Sequence, residues 1–384
     1  DLIDNENDTG KKLIKKSNKL QLISDTFSNY GGVLAKLSQM LCFENQDNKV
    51  FADCKPYSRD KTIQYLKDEL NKNPDFFSDI KTVDFNVFKS GSFGQVHKAV
   101  HIDGREIVIK VLYVGLADQI KSDLYILDKV TYYLFNFADL DNAMIDIKTK
   151  LYEELDYKVE ISNQKLIYDL WLDHPDINIP EVIPELSTNN ILVMDYVNAN
   201  SLSYFFENST QEDRNKIGML LVEFVFTNIY KYNTFYPDTH YGNFLVNKDV
   251  KLYVMDFGCL NMISECMIDN LKNLHLSLLN ENKDQFYDTV EKMGILNDKS
   301  ISTESKEYMY EYFKIQCTPW ITENFEFNQE WLDFAVYKNT ELMQQWKIPS
   351  DIIYFNRIPY GLFHILTKLK AKGNFKGIFD ILLS

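Results

Sequence analysis

The chain lacks the marks of several large functional classes. None of its five cysteines (Cys42, Cys54, Cys259, Cys266 and Cys317) forms a C-x-x-C pair, and no histidine cluster accompanies them. That excludes a zinc ribbon or disulfide framework and fits free thiols in a reducing compartment or organelle interior. No run of 18 or more apolar residues occurs, since even Gly218–Tyr230 is broken by Glu223, so no spanning helix is expected. Positive charge is short as well: 41 Lys+Arg stand against 56 Asp+Glu, and a net charge of −15 repels phosphate backbones, so nucleic acid is excluded as the main partner. There is no internal repeat and no low-complexity tract. What the chain does have is apolar material, 45% hydrophobic and 14% aromatic over 384 residues, ample for a core and too long for one.

Residues 1–80 read as an N-terminal helical extension. Its Lys11, Lys12, Lys15, Lys16 and Lys19 precede an apolar pattern from Leu20 to Leu41. A solvated terminus leading into a helix accounts for this, and peripheral membrane association through an amphipathic surface element is the alternative. From Val83 the pattern turns to short strands: Phe85–Lys89, Gln95–Ile102 and Glu106–Leu112, with an Asp103-Gly104 turn. Helical periodicity spans 116–171, a strand pair follows near Glu181–Pro184 and Asn190–Tyr196, and Asp213–Tyr232 reads as a long helix. Asn243–Val246 with Lys251–Met255 reads as a hairpin, and everything from Ile263 to Ile378 as helix.

Onto this order falls a set of residues suited to metal-assisted phosphoryl transfer, which needs a cover over the phosphates, a cation on them, oxygen ligands for Mg²⁺ and an acceptor-orienting base. Gly91, Ser92, Phe93, Gly94 and Val96 supply a G-x-x-G-x-V loop between two strands, though an ordinary hairpin turn has the same look. Lys110, in Ile107–Val111, stands on the third strand among apolar neighbours, where a buried ammonium needs a carboxylate. Glu160 and Asp156 are four residues apart in a helical segment, and Glu160 is the expected partner. The most specific signal is Asp238 to Asn243, a D-x-x-x-x-N loop, followed 18 residues after Asp238 by Asp256-Phe257-Gly258 beyond a hairpin. This matches the catalytic-loop and D-F-G arrangement of kinases. His240 reads as a structural hydrogen-bonder in that loop.

These motifs resemble the UbiB family of atypical kinases over most of the chain. Phe235–Asn243 looks like the family's F-x-x-D-P-H-P-G-N, with Thr239 and Tyr241 in place of two prolines, and Ser92–His97 looks like its S-x-G-Q-V-H. Lys36-Leu37-Ser38-Gln39 is similar to the hallmark K-x-G-Q helix with Ser38 in place of glycine, and Glu154-Leu155-Asp156 resembles the E-x-D element. The resemblance implies that Lys36 and Gln39 belong to a helix covering the site, with Lys36 meeting Glu154 or Asp156. It also implies a link to isoprenoid quinone or lipid metabolism. Two departures separate the chain from the family or from ordinary protein kinases. Lys89-Ser90-Gly91 replaces the family's alanine-rich segment, and no A-P-E follows Asp256.

The expected fold is therefore α+β and protein-kinase-like, bilobal, with the extension at 1–80, a β-rich lobe with a helical insert at 81–197 and a helical lobe at 198–384. The expected cofactors are ATP and Mg²⁺. Lys110 would hold the α/β-phosphates and Glu160 would orient it. Asn243 and Asp256 would ligate the metal, Asp238 would orient the acceptor, and Met194, Asp195 and Tyr196 would meet adenine. The acceptor, whether small molecule, lipid or protein, is not encoded. A Ser/Thr protein kinase, which the Gly91 loop allows, and a nucleotide-sensing pseudokinase scaffold are the competing readings.

Overall fold

The computed structural model describes residues 59–91, 93–118, 120–122, 124–125, 155–237, 239–296, 301–336, 340–343, 345–347, 349, 352 and 357–383. In chain order these form α1 (Arg59–Lys72), β1 (Ile80–Ser90), β2 (Gly94–His101), β3 (Glu106–Leu112), α2 (Tyr157–Trp171), β4 (Ile177–Asn178), β5 (Ile191–Asp195) and β6 (Asn200–Ser201). There follow α3 (Leu202–Asn208), α4 (Gln211–Tyr230), β7 (Thr234–Phe235), β8 (Phe244–Val246), β9 (Leu252–Val254), β10 (Asn261–Met262), α5 (Glu265–Leu279), α6 (Lys283–Lys292) and α7 (Thr303–Ile321). The last elements are β11 (Phe325–Glu326), α8 (Gln329–Val336), α9 (Arg357–Leu369), β12 (Lys372–Gly373) and α10 (Lys376–Leu382). The fold is α+β and kinase-like. It falls into two compact units, one running to Ser162 with Glu181–Tyr196 added, the other made of Asn163–Pro180 and Val197–Ser384.

In the first unit β1, β2, β3 and β5 form an antiparallel sheet in that order. Strand β3 is rich in β-branched residues and buried along its length, as a central strand should be. Its Ile107, Ile109 and Val111 point to one face, where Leu66 of α1, Phe77, Ala99, Ile191 and Val193 close a core. The edge strand β1 carries register shifts between Val83 and Lys89 and exposes most of its length.

The second unit is built on α4. Thr210 caps this helix and Asp213 completes a capping box. Its Leu221, Val222, Phe224 and Val225 are all buried, so the helix is apolar around most of its circumference and runs through the middle of the core. Its own Phe226 joins Trp320, Phe363 and Phe379 in an aromatic cluster, Trp320 stacking on Phe379 at 5.3 Å. A four-stranded sheet, β4-β9-β8-β6, and the short pairs β7-β10 and β11-β12 complete the unit. The last pair corrects the expectation of helix alone after Ile263. Phe325 and Glu326 lie opposite Gly373 and Lys372, a ladder too short to show any period in sequence.

Candidate functional site

In the first unit, Lys110 takes its position from strand register. It lies opposite Val96 on β2 and Leu192 on β5, and Val108 beside it lies opposite Met194. Cross-strand partners share a face, so Val96, Lys110 and Met194 line the side of the sheet away from the Leu66 core. The Lys110 ammonium donates to both carboxylate oxygens of Glu160, at 2.8 and 2.9 Å. Glu160 sits in the first turn of α2, where the helix N-terminus favours a negative charge. Its side chain is 7% exposed against 23% for Lys110, so the carboxylate is the more deeply buried partner. The ring of Tyr157, itself buried, lies with its centroid 5.0 Å from the Lys110 ammonium.

The glycine loop closes on itself: the Gly91 N–H donates to the Gly94 carbonyl at 2.8 Å, and the Tyr113 N–H donates to the Phe93 carbonyl at 2.9 Å. Gly94 is required by close approach, because a Cβ there would lie 2.3 Å from the Val111 carbonyl oxygen and 2.9 Å from the Tyr157 hydroxyl. Behind the loop, fully buried Gln95 donates to His97 Nε2 at 3.0 Å, and His97 Nδ1 lies 3.1 Å from the Asp84 carbonyl. A carbonyl only accepts, so Nδ1 carries the proton and Nε2 receives the amide.

Asp195 and Tyr196 have their amides engaged, donating to the carbonyls of Glu181 at 2.9 Å and Glu106 at 3.0 Å. Asp195 also lies 3.3 Å from Arg105. Burial raises its carboxyl above the ordinary value, and the guanidinium opposes that rise. The Tyr196 ring packs against the ammonium of Lys98 at 4.1 Å, with Phe88 edge-on at 5.8 Å.

Asp156 differs from its sequence reading. It precedes α2 instead of sharing a helical face with Glu160, and its carboxylate accepts the Lys158 N–H at 3.0 Å. Aspartate competes for backbone amides just outside a helix, which explains the shift.

In the second unit two strand pairs bring the metal-ligand candidates together. The loop after β7 ends at β8, and the D-F-G loop lies between β9 and β10; β8 pairs with β9, and β7 with β10. Each loop is thereby tied at both ends to the other. Asn243 ends a 3₁₀ turn, and its carbonyl accepts the N–H of Met255, the residue before Asp256, at 3.0 Å. Asp256 accepts the Gly258 N–H at 3.1 Å, folding the D-F-G turn over its own carboxylate. Phe257 is fully buried against Tyr236, 5.7 Å between rings, and Asn163 donates to its carbonyl at 2.9 Å. His240 keeps the structural role expected of it, its Nδ1 accepting the Gly242 N–H at 3.1 Å.

Asp238, Ser92, Glu154, Lys36 and Gln39 lie outside the described residues. Two residues that sequence reasoning missed are Tyr157 and Asn163. Both sit three residues from Glu160 on α2, a spacing that marks neighbours on one helix surface. Among the described residues no cluster of three or more His, Cys, Asp or Glu is gathered for a metal, and no helix is long and apolar enough to cross a membrane. An aspartate and an asparagine offering hard oxygens nonetheless suit Mg²⁺, which keeps several water and phosphate ligands of its own.

Comparison with known proteins adds a family. Residues 49–290 match the family model described as the ABC1 atypical kinase-like domain. The chain is 25% identical over 93% of its length to the probable serine/threonine-protein kinase abkA of Dictyostelium discoideum, spanning 69% of that protein. It is also 25% identical over 92% of its length to the mitochondrial atypical kinase coq-8 of Caenorhabditis elegans, of which it spans about half, 49%. A solved Mycobacterium tuberculosis protein, determined as a complex with erythromycin, shares the fold with a TM-score of 0.71 over 98% of both chains at 21% identity.

Proposed function

The chain belongs to the ABC1 atypical kinase-like family, and from that premise we propose that it binds MgATP and acts as an atypical kinase or ATPase on a small-molecule or lipid-linked acceptor. The observation that carries this reading is the bidentate Lys110–Glu160 pair on the sheet face that also presents Val96 and Met194. A lysine held this way is a fixed cation for α- and β-phosphate oxygens, and the glycine loop at 91–94 lets backbone amides approach them. With the amides of Asp195 and Tyr196 already engaged, adenine contacts there fall to carbonyl oxygens or side chains.

Asn243 and Asp256 hold Mg²⁺ in this reading, and Asp238 orients the acceptor hydroxyl or water. Mg²⁺ held there would supply positive charge against the phosphate oxygens. The chain's own contribution is placement. The two strand pairs fix Asn243 beside Asp256, and the Asn163 hydrogen bond holds the D-F-G carbonyl. Lys36, with Gln39, restrains the site through Glu154 or Asp156. A lipid-linked acceptor and an organelle interior follow the UbiB resemblance, and relatives such as coq-8 are named mitochondrial.

Nucleotide binding measured with and without Mg²⁺, comparing ATP with ADP, tests the reading. The expected result is Mg²⁺-dependent ATP binding that Asp256→Asn weakens at least tenfold. Metal-independent binding, or an unchanged Asp256→Asn, would sink it.

A further inference from the structure

We infer that Tyr157 is a positioning residue for the phosphate-binding lysine, holding the Lys110 ammonium through its ring face. The inference rests on the MgATP reading for its consequence in binding and on geometry alone for its structural part.

Three observations meet at this side chain. Its ring centroid lies 5.0 Å from the Lys110 Nζ, within the range at which a ring face attracts an ammonium. Its residue is 3% exposed and the Lys110 side chain 23%, so the attraction acts in a largely but not fully desolvated place. Its hydroxyl would come within 2.9 Å of a Cβ on residue 94, so together with the Val111 carbonyl at 2.3 Å it packs the ring against the glycine of the loop.

Tyr157 is itself fixed. Its N–H donates to the Asn189 carbonyl at 3.0 Å, tying the start of α2 to the turn before β5. On one side Asp156 accepts the Lys158 N–H; on the other, Glu160 takes Lys110 through both oxygens. A lysine stem has four rotatable bonds, and the Glu160 carboxylate constrains the ammonium from one direction. The aromatic face supplies the second.

The experiment uses the full chain with Tyr157→Leu, Tyr157→Phe, and a series in which position 157 carries phenylalanines of increasing fluorination, which drain the ring face of charge at nearly constant shape. The first readout needs no nucleotide: competitive acetylation of Lys110 followed by mass spectrometry across pH. Loss of the ring face shifts the labelling midpoint down by about 0.5 to 1.5 pH units in Tyr157→Leu, leaves Tyr157→Phe near wild type, and gives a graded shift with fluorination. The second readout is affinity for ATP against adenosine. Tyr157→Leu weakens ATP by about five- to thirtyfold and leaves adenosine, which has no phosphates, within about twofold.

An unchanged labelling midpoint in Tyr157→Leu, or a fluorination series without trend, overturns the role of Tyr157. If Tyr157→Leu does not fold, the fluorinated series decides alone. Equal loss for ATP and adenosine means that Tyr157 only supports the fold, which also overturns it. Labelling shifts in the variants, with a wild-type protein that binds no nucleotide, would uphold the hold on Lys110 and sink the MgATP reading, so the two failures are distinct.

Discussion

Separating Lys110 from Glu160 by mutation should cost unequal amounts in the two directions, and the size of the inequality follows from burial. The two carboxylate oxygens lie 2.8 and 2.9 Å from the ammonium, with side-chain exposures of 7% for Glu160 and 23% for Lys110. Lys110→Met leaves a nearly buried carboxylate without its cation, the case in which breaking a buried pair costs about 3–5 kcal/mol. Glu160→Gln leaves an ammonium that still reaches some water and can donate to the amide oxygen, which lowers the cost to about 1.5–3 kcal/mol. The double variant removes both charges, so its cost falls short of the sum by about 1–3 kcal/mol. Urea unfolding at pH 7, with the slopes required to agree across variants, gives all four values. Single costs below about 0.5 kcal/mol, or a double variant equal to the sum, would refute the claim that this pair is a buried, mutually dependent unit.

Two further perturbations test the loop and the helical core. Gly91→Ala should leave thermal stability unchanged or raise it by about 0.4–1 kcal/mol, because among the described residues a Cβ there meets only the Gly94 carbonyl, at 3.6 Å. Gly94→Ala should lower it by about 2–4 kcal/mol, since its Cβ falls 2.3 Å from the Val111 carbonyl; equal melting temperatures for the two variants would show the close approach to be absent. His275 is buried and stacked on Phe379 at 4.8 Å, and burial pushes its imidazole down to about 4 from 6.5, with Lys376 acting the same way and Asp380 against. The folded state keeps it neutral while the unfolded state takes a proton below pH 6.5, so stability is full above that pH and falls as pH drops toward 4. Between pH 7 and 5.5 wild type should lose about 1 kcal/mol more than His275→Phe, measured by urea unfolding at each pH. Parallel curves would remove His275 from the acid response.

Where strong periodicity or register carried the reading, the sequence was legible. Strand Glu106–Leu112 has the bounds expected from its β-branched run, and the long helix expected at Asp213–Tyr232 is found at Gln211–Tyr230. The Lys110–Glu160 pair was legible for a physical reason: an ammonium on a buried strand needs an acid, and the acidic segment at 153–160 was the one at hand. What escaped was set by tertiary contact. The pairing of Phe325–Glu326 with Lys372–Gly373 joins two residues to two across more than forty positions, and so short a ladder leaves no pattern. Tyr157 reads in sequence as one more core aromatic, and only the fold shows its ring beside an ammonium. Asn243 and Asp256 read in sequence as parts of one motif, and only the fold shows β7-β10 and β8-β9 tying their loops together.

Release of ADP from ATP by the wild-type chain and by Asp256→Asn, with Mg²⁺ present and with it chelated, is the most direct test of metal-assisted phosphoryl transfer here. The expected result is Mg²⁺-dependent release that falls by at least a hundredfold in Asp256→Asn while the variant keeps its fold, since in the proposed site that carboxylate is the charged group offered to the metal. Release that survives chelation or persists in Asp256→Asn would contradict the metal assignment, and ATP-induced stabilisation with no release at all would make the chain a nucleotide-sensing scaffold instead of an enzyme.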